Sequence, residues 1–184
     1  MDKGLIPRRY AKALLEVAEQ RHVALQLYDA FAEIDAAFTH QPDMSKVVKN
    51  PFVKTSDKIT LLETAGNLVS ESEARSIFED FVKLTAENGR VDLLKEIIKV
   101  YIDEYRRAHD IVRVEVESAV PLGDALRERL TSVIRSRLPK GATIEMNERV
   151  DPDLIGGFVI NINNERLDAS VKHELEQLRL NLLK

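Results

Sequence analysis

Apolar residues in the first part of the chain recur with the spacing of amphipathic helices. From Leu5 to about Arg107 this spacing continues, and turn and capping residues cut it into about six segments. Each segment keeps charged residues on the face opposite its apolar residues. The pattern predicts an all-helical, six-helix bundle over residues 1–107.

Short polar motifs mark where several of these helices begin and end. Thr55 or Ser56 is placed to cap the fourth segment, and Ser70 with Glu73 forms a capping-box pattern for the fifth. Gly89 follows the last apolar residue of the fifth segment, where glycine commonly ends a helix. These positions are therefore predicted helix boundaries.

After Asp110 the apolar period changes from that of a helix to that of a strand. Val112, Val114 and Val116 alternate with charged residues, which indicates a half-buried strand. Helical spacing returns over residues 126–138, and two more alternating segments follow, in ATIEMNERV and GFVININ. A last helical stripe consists of Val171, Leu175, Leu178 and Leu182. Residues 110–184 are thus predicted to form a small α/β domain in the order strand-helix-strand-strand-helix.

Composition and charge narrow the class of protein. The 184 residues are 44% hydrophobic and 32% charged, with no cysteine, which is typical of a globular protein from a reducing compartment. The net charge of −4 is spread over both parts of the chain, so neither part has the basic excess that nucleic-acid binding requires. No apolar run approaches the roughly 18 to 20 residues that span a bilayer. The N-terminus has no signal-peptide pattern, so we expect the mature protein to begin near Met1 in a bacterial cytoplasm.

The double glycine in VDPDLIGGFVINI is the strongest candidate for a ligand loop. It matches neither dinucleotide-binding nor P-loop spacing, and a strand rather than a helix follows it. Pro152 restricts its own backbone, while Gly156 and Gly157 permit backbone angles that other residues resist. We predict a structural turn here, with a positive φ at one of the two glycines.

No other pattern in the sequence points to catalysis, a cofactor or a metal. The four histidines lie far apart, and there is no cysteine to complete a zinc site. No nucleophile-elbow motif is present, and no carboxylate among the 31 acidic residues stands out as catalytic. We therefore assign no catalytic, cofactor-binding or metal-binding residue.

The first and fifth helices have unusually wide apolar arcs. On a wheel of about 100° per residue, Tyr10, Ala13 and Val17 lie about 120° from a second stripe that contains Leu14, so the first helix is apolar over about 200°. The fifth helix also has two apolar edges, one of them formed by Ile77, Phe81 and Leu84. A wide arc fits either a helix buried within a bundle or a groove for a partner, and the sixth helix is equally wide. Apolar periodicity alone does not distinguish a buried helix from a partner groove.

Five motifs in order resemble those of the ATP synthase delta subunit family, which includes the mitochondrial oligomycin-sensitivity-conferring protein. The motifs are RRYAKALLEVA, NPFVKTSDKITLLE, FVKLTAENGRVDLLKEII, VESAVPL and VDPDLIGGFVINI. The resemblance extends over almost the whole chain. Many relatives have a Gly-Asp turn where this chain has Asn163 and Asn164, but asparagine tolerates the left-handed conformation, so the hairpin is expected to persist.

The resemblance implies a non-catalytic stator subunit of a rotary F-type ATP synthase. In such proteins the first and fifth helices bind the N-terminal helix of an alpha subunit, and the C-terminal domain meets the C-terminal region of the b subunit. The implied partner-binding residues here are Tyr10, Ala13, Leu14, Val17, Ile77, Phe81 and Leu84. The implied location is the cytoplasmic side of a bacterial inner membrane, reached only through the complex. The coupling ion is not implied.

An alternative interpretation is a helical regulatory domain fused to a small α/β ligand-binding or enzymatic domain. Such a domain should contain a polar pocket with perturbed carboxylates or histidines. A nucleic-acid adaptor is a further alternative that the balanced charge disfavours.

Overall fold

The computed structural model of the chain describes residues 4–67, 72–138, 141–162 and 165–182. Contacts divide the chain into two compact units, Met1–Arg107 and Ala108–Lys184. The first unit is helical and the second contains a four-stranded mixed sheet with helices, which confirms the predicted fold class.

The first unit contains six α-helices within the described residues, as predicted. They are α1 (Leu5–Gln20), α2 (Ala24–His40), α3 (Pro42–Lys49), α4 (Thr55–Ala65), α5 (Ser72–Glu87) and α6 (Leu94–Ala108), and a 3₁₀ turn (Val91–Leu93) precedes α6.

The start of the fourth helix differs from the prediction. Helix α4 begins at Thr55, but Lys54 holds the N-cap position and no side chain caps the helix, so the capping role predicted for Thr55 or Ser56 is wrong. The Ser56 hydroxyl instead donates to the Asp57 carboxylate at 3.2 Å. The capping box predicted at Ser70 lies outside the described residues.

Gly89 ends α5 as predicted. Its φ of +64° is in the left-handed region, and the Arg90 N–H donates to the Thr85 carbonyl at 2.8 Å. This hydrogen bond pairs one of the last carbonyls of the helix, which is the usual role of a glycine at this position.

Aromatic side chains fill the core of the helical unit. Phe31 makes edge contacts with Phe78 and Tyr101, with ring centroids 5.9 and 4.8 Å apart. The Tyr101 hydroxyl donates to the Ala24 carbonyl at 3.2 Å, and burial raises the pKa of Tyr101. The apolar stripe of α6 is entirely buried in this core: Leu94, Ile97, Ile98, Tyr101, Ile102 and Tyr105. The wide arc of the sixth helix is therefore a core feature.

An ion pair joins α5 to α4. Arg75 donates through Nε and Nη2 to the two carboxylate oxygens of Glu63, at 3.0 and 3.2 Å, and the Glu63 side chain is only 4% exposed. Two parallel hydrogen bonds give a guanidinium–carboxylate pair a defined geometry. This pair restrains the position of α5, which forms one wall of the groove described below.

A fragment ending at Arg107 is expected to fold on its own. Residues 1–107 cluster as one compact unit and include a set of buried apolar side chains large enough for a core of their own. Circular dichroism during heating should show a helical spectrum and one cooperative unfolding transition. A fragment that melts without a transition would show that the helical unit depends on residues beyond 107.

In its described residues the second unit is an α/β domain with four strands. Its elements are β1 (Ile111–Ser118), α7 (Asp124–Arg137), β2 (Thr143–Val150), a 3₁₀ turn (Pro152–Leu154), β3 (Gly157–Ile162), β4 (Glu165–Ser170) and α8 (Val171–Leu182). The sheet order is β2-β1-β3-β4, in which β1 and β2 are parallel and the other neighbours antiparallel. Leu130 and Ile134 of α7 pack with Val114, Val116 and Ile160 of the sheet.

Strand β4 is absent from the predicted strand-helix-strand-strand-helix order. Its sequence, ERLDAS, contains one large apolar residue, Leu167, and that residue is half exposed. Because β4 is an edge strand with polar side chains, it lacks the apolar alternation that identified the other three. The turn predicted at Asn163 and Asn164 lies outside the described residues.

Candidate partner-binding groove

Helices α1 and α5 form an open groove of about 470 Å³ in the helical unit. All seven residues that the sequence analysis assigned to partner binding line it. The full lining is Tyr10, Ala13, Leu14, Val17 and Arg21 on the α1 side, with Glu73, Ser76, Ile77, Asp80, Phe81 and Leu84 on α5.

The floor of the groove is apolar and closely packed. Leu14 and Phe81 are 5% and 7% exposed, so they serve the core of the bundle as well as the groove. Tyr10 contacts the edge of Phe81 with ring centroids 6.4 Å apart, and the Arg90 guanidinium lies over the Tyr10 ring at 5.7 Å. These contacts hold the start of α1 against the C-terminal half of α5.

The walls of the groove are apolar and open to solvent. Val17 and Leu84 are 44% and 49% exposed, and Ala13, four positions before Val17 on α1, is also exposed. On α1 the second apolar stripe includes Ala11 and Ala18, which are fully buried. One arc of α1 therefore faces the core and the other faces the groove, whereas the equally wide arc of α6 is buried throughout.

The sequence analysis did not identify the polar residues at the edge of the groove, which we call the groove rim. Arg21, Glu73, Ser76 and Asp80 also line the groove, but a search for apolar periodicity does not detect polar positions. The available signal was spacing, because Glu73 lies four positions before Ile77 and Asp80 lies four positions before Leu84, on the same edge of α5.

Helix α8 presents a second unpaired apolar surface. None of its described residues is buried, and its predicted stripe is exposed to between 37% and 85%. The members of this stripe, which we call the α8 stripe, are Val171, Leu175, Leu178 and Leu182. Their spacing of four, three and four positions is that of a seam that packs against another helix.

The N-terminus of α8 is held by a local hydrogen-bond network. The Ser170 hydroxyl accepts from the His173 N–H at 3.2 Å and donates to the Asp168 carboxylate at 2.6 Å. The hydrogen bond from Ser170 lowers the pKa of Asp168. Ser170 thus acts as a helix cap whose orientation is fixed by a charged neighbour.

The turn that precedes β3 packs closely against this helix start. Asp151 accepts from the Asp153 N–H at 3.0 Å, and Pro152 begins the 3₁₀ turn. Gly156 accepts through its carbonyl from the Val171 N–H at 3.0 Å. Gly157 has a φ of +75°, and its Cα lies so close to β4 that a Cβ would overlap the Ala169 carbonyl oxygen. Backbone geometry therefore accounts for Gly157, whereas a Cβ at Gly156 would meet only the Val171 side chain.

Among the residues that the structure describes, neither unit contains a group of side chains arranged for metal binding. Across the described ranges, no three histidine, aspartate or glutamate side chains come together in a way that could hold a metal ion. The same ranges contain no helix with the length and apolar character needed to cross a bilayer.

Comparison with known proteins identifies the family. The family model of the ATP synthase delta (OSCP) subunit matches residues 6–182. The ATP synthase subunit delta of Parabacteroides distasonis is 35% identical over 183 residues, which cover 100% of this chain and 98% of the relative. That of Bacteroides thetaiotaomicron is 34% identical, covering 97% of this chain and 94% of the relative.

The fold also has a counterpart among solved structures. A chain in the cryo-EM structure of the Toxoplasma gondii mitochondrial ATP synthase hexamer superposes with a TM-score of 0.62 at 18% identity, covering 97% of each chain. At this identity the likeness concerns the fold alone. The sequence matches go further: the chain belongs to the ATP synthase delta (OSCP) subunit family and is a non-catalytic stator component of the F-type ATP synthase.

Proposed function

We propose that the groove between α1 and α5 binds the N-terminal helix of an ATP synthase alpha subunit. The observation that supports this most is the pair of open apolar walls, with Val17 and Leu84 about half exposed above a packed floor. An apolar groove between two helices is a common site for an amphipathic helix, whose apolar residues become buried together.

We further propose that the α8 stripe contacts the C-terminal region of the b subunit. The stripe leaves four large apolar residues in solvent, which is unfavourable unless another chain covers them. Its spacing fits a helical partner, and it belongs to a different unit from the groove.

These two contacts would make the protein a mechanical link. The rotating central shaft exerts torque on the catalytic head, and a head without a stator would turn with the shaft. The joint must therefore dissociate slowly, which calls for an affinity on the order of nanomolar, or about −12 kcal/mol. Burial of the groove walls and of the α8 stripe at two separate sites would slow dissociation, because both contacts must break before the protein leaves the complex.

The protein is a peripheral component of the membrane-bound complex. We propose the cytoplasmic face of a bacterial inner membrane as its location, with membrane association only through the complex. The family match argues against the alternative of a regulatory helical domain fused to an enzymatic or ligand-binding α/β domain.

A pull-down from membranes with tagged full-length protein tests both contacts. We expect the wild-type chain to recover the alpha, beta and b subunits. Leu178→Asp should reduce recovery of b about tenfold or more and retain alpha, because it places a carboxylate in the α8 stripe. Detection by quantitative mass spectrometry separates the subunits.

Leu180→Asp is the matched control. Leu180 lies on the same helix and is 57% exposed, as is Leu178, but it stands outside the stripe. It should leave recovery of b unchanged. Equal losses for the two variants would contradict the α8 proposal, and recovery of none of the three subunits by the wild type would contradict the proposed function.

A further inference from the structure

Charge on the groove rim is concentrated on the α5 side. Glu73 and Asp80 line the groove seven residues apart, which is about two turns or roughly 10 Å along the helix. On the α1 side the charged lining residue is Arg21, immediately after the helix ends. Among the described lining residues, the groove thus has an acidic flank on α5 and one basic residue, Arg21, at the end of α1.

The two carboxylates are available to a partner. Asp80 is 3.5 Å from the Lys83 ammonium, but its side chain is 75% exposed. Glu73 is exposed, and in the described part of the chain it forms no ion pair. Neither carboxylate is committed to holding the bundle together, in contrast to the buried Glu63.

The acidic and apolar residues of this flank alternate. Glu73, Ile77, Asp80 and Leu84 follow one another at spacings of four, three and four positions, so they share one edge of α5. A helix lying in the groove would bury its apolar residues against Ile77 and Leu84. Its own flank would then pass within reach of both carboxylates.

We propose that Glu73 and Asp80 select and align the helix that occupies the groove. The occupant carries two basic residues seven positions apart, on the flank of its apolar stripe that faces α5. Apolar packing alone tolerates a shift along the groove, whereas two charges spaced by two turns favour one register. This inference rests on the proposed function, because it takes the groove to be a site for a helix.

The test is a titration of full-length protein with a synthetic peptide of the alpha-subunit N-terminus from the same genome. The double variant Glu73→Gln, Asp80→Asn should weaken binding about fivefold to tenfold at low salt. The loss should shrink at about 0.5 M salt, where screening removes interactions between exposed charges. Fluorescence anisotropy of the labelled peptide gives the affinities. Asp103→Asn, on the exposed face of α6, is the control and should bind as wild type.

Charge reversal tests the pairing directly. Glu73→Lys with Asp80→Lys should weaken binding further, and a peptide whose two basic flank residues are changed to glutamate should restore it. A peptide with no such basic pair in its sequence would overturn the proposal at once.

A groove variant separates this proposal from the function on which it rests. If Ala13→Asp abolishes binding while the neutralised double variant stays within about twofold of wild type, the rim proposal fails and the groove stands. If Ala13→Asp also leaves binding unchanged, the groove is not the site and both fail. Thermal melts of every variant establish that the helical unit is folded.

Discussion

Replacement of Gly157 by alanine is expected to unfold the C-terminal unit or to destabilise it by about 3 to 5 kcal/mol. Two effects add at this position. The φ of +75° is unfavourable for any residue with a Cβ, and the new methyl group would overlap the Ala169 carbonyl oxygen and approach the Ser170 Cα to 3.1 Å. Relief requires β4 to move away from β3, which breaks the ladder that leads into α8.

Gly141→Ala separates the two effects. Gly141 has a φ of +100°, but apart from its chain neighbours no atom of the described residues lies within 4 Å of where its Cβ would be. This variant should lose only about 1 to 2 kcal/mol, the cost of the backbone conformation. Urea denaturation of both variants gives the free energies of unfolding. Equal losses would show that the contact with β4 is unimportant, and a fully stable Gly157→Ala would contradict the turn geometry.

Gly156 should tolerate substitution better than its neighbour. A Cβ there would meet the Val171 Cγ2 at 2.9 Å, and Val171 is 37% exposed and able to shift. The sequence could predict a special turn in this motif but not which glycine carries the positive φ. That distinction depends on how β4 and the start of α8 approach the turn, and β4 has no apolar pattern of its own.

The helical unit could be predicted because its helix-breaking residues and the helical spacing of its apolar residues indicate the same helix boundaries. Each helix has apolar residues at helical spacing, and proline, glycine or a short polar stretch separates it from the next. Capping residues were less informative. Thr55 has a suitable side chain but lies one position inside the helix, so its capping role depended on a boundary that sequence places only to within a residue or two.

The sequence predicts which residues line the groove, but not that these residues form an open surface instead of part of the core. A helical wheel identifies which residues share an edge of α1 or α5, and all seven assigned residues line one groove. The wheel cannot distinguish an arc covered by a neighbouring helix from one left open. Ile97 and Ile98 on α6 are fully buried, while Val17 on α1 is nearly half exposed, although their helices have equally wide arcs. The difference arises from packing between helices distant in sequence.

Ala13→Asp is expected to abolish binding of the alpha-subunit helix without unfolding the protein. Ala13 is exposed in the groove wall, so a carboxylate there remains solvated in the free protein and the thermal midpoint should change little. When a partner helix closes over the groove, the carboxylate becomes buried without a partner. The expected cost of several kcal/mol reduces affinity at least about a hundredfold.

Ala11→Asp, on the same helix, is expected to unfold the protein instead of weakening partner binding alone. Ala11 is 0% exposed, so this carboxylate would lie in the bundle core and should unfold the helical unit. Both variants should be melted and titrated with the alpha N-terminal peptide from one preparation each. A preserved melt with lost binding for Ala13→Asp, beside a collapsed melt for Ala11→Asp, assigns one face of α1 to the partner and the other to the core. Unchanged affinity in Ala13→Asp would contradict the groove, since no helix could then be packed against this wall.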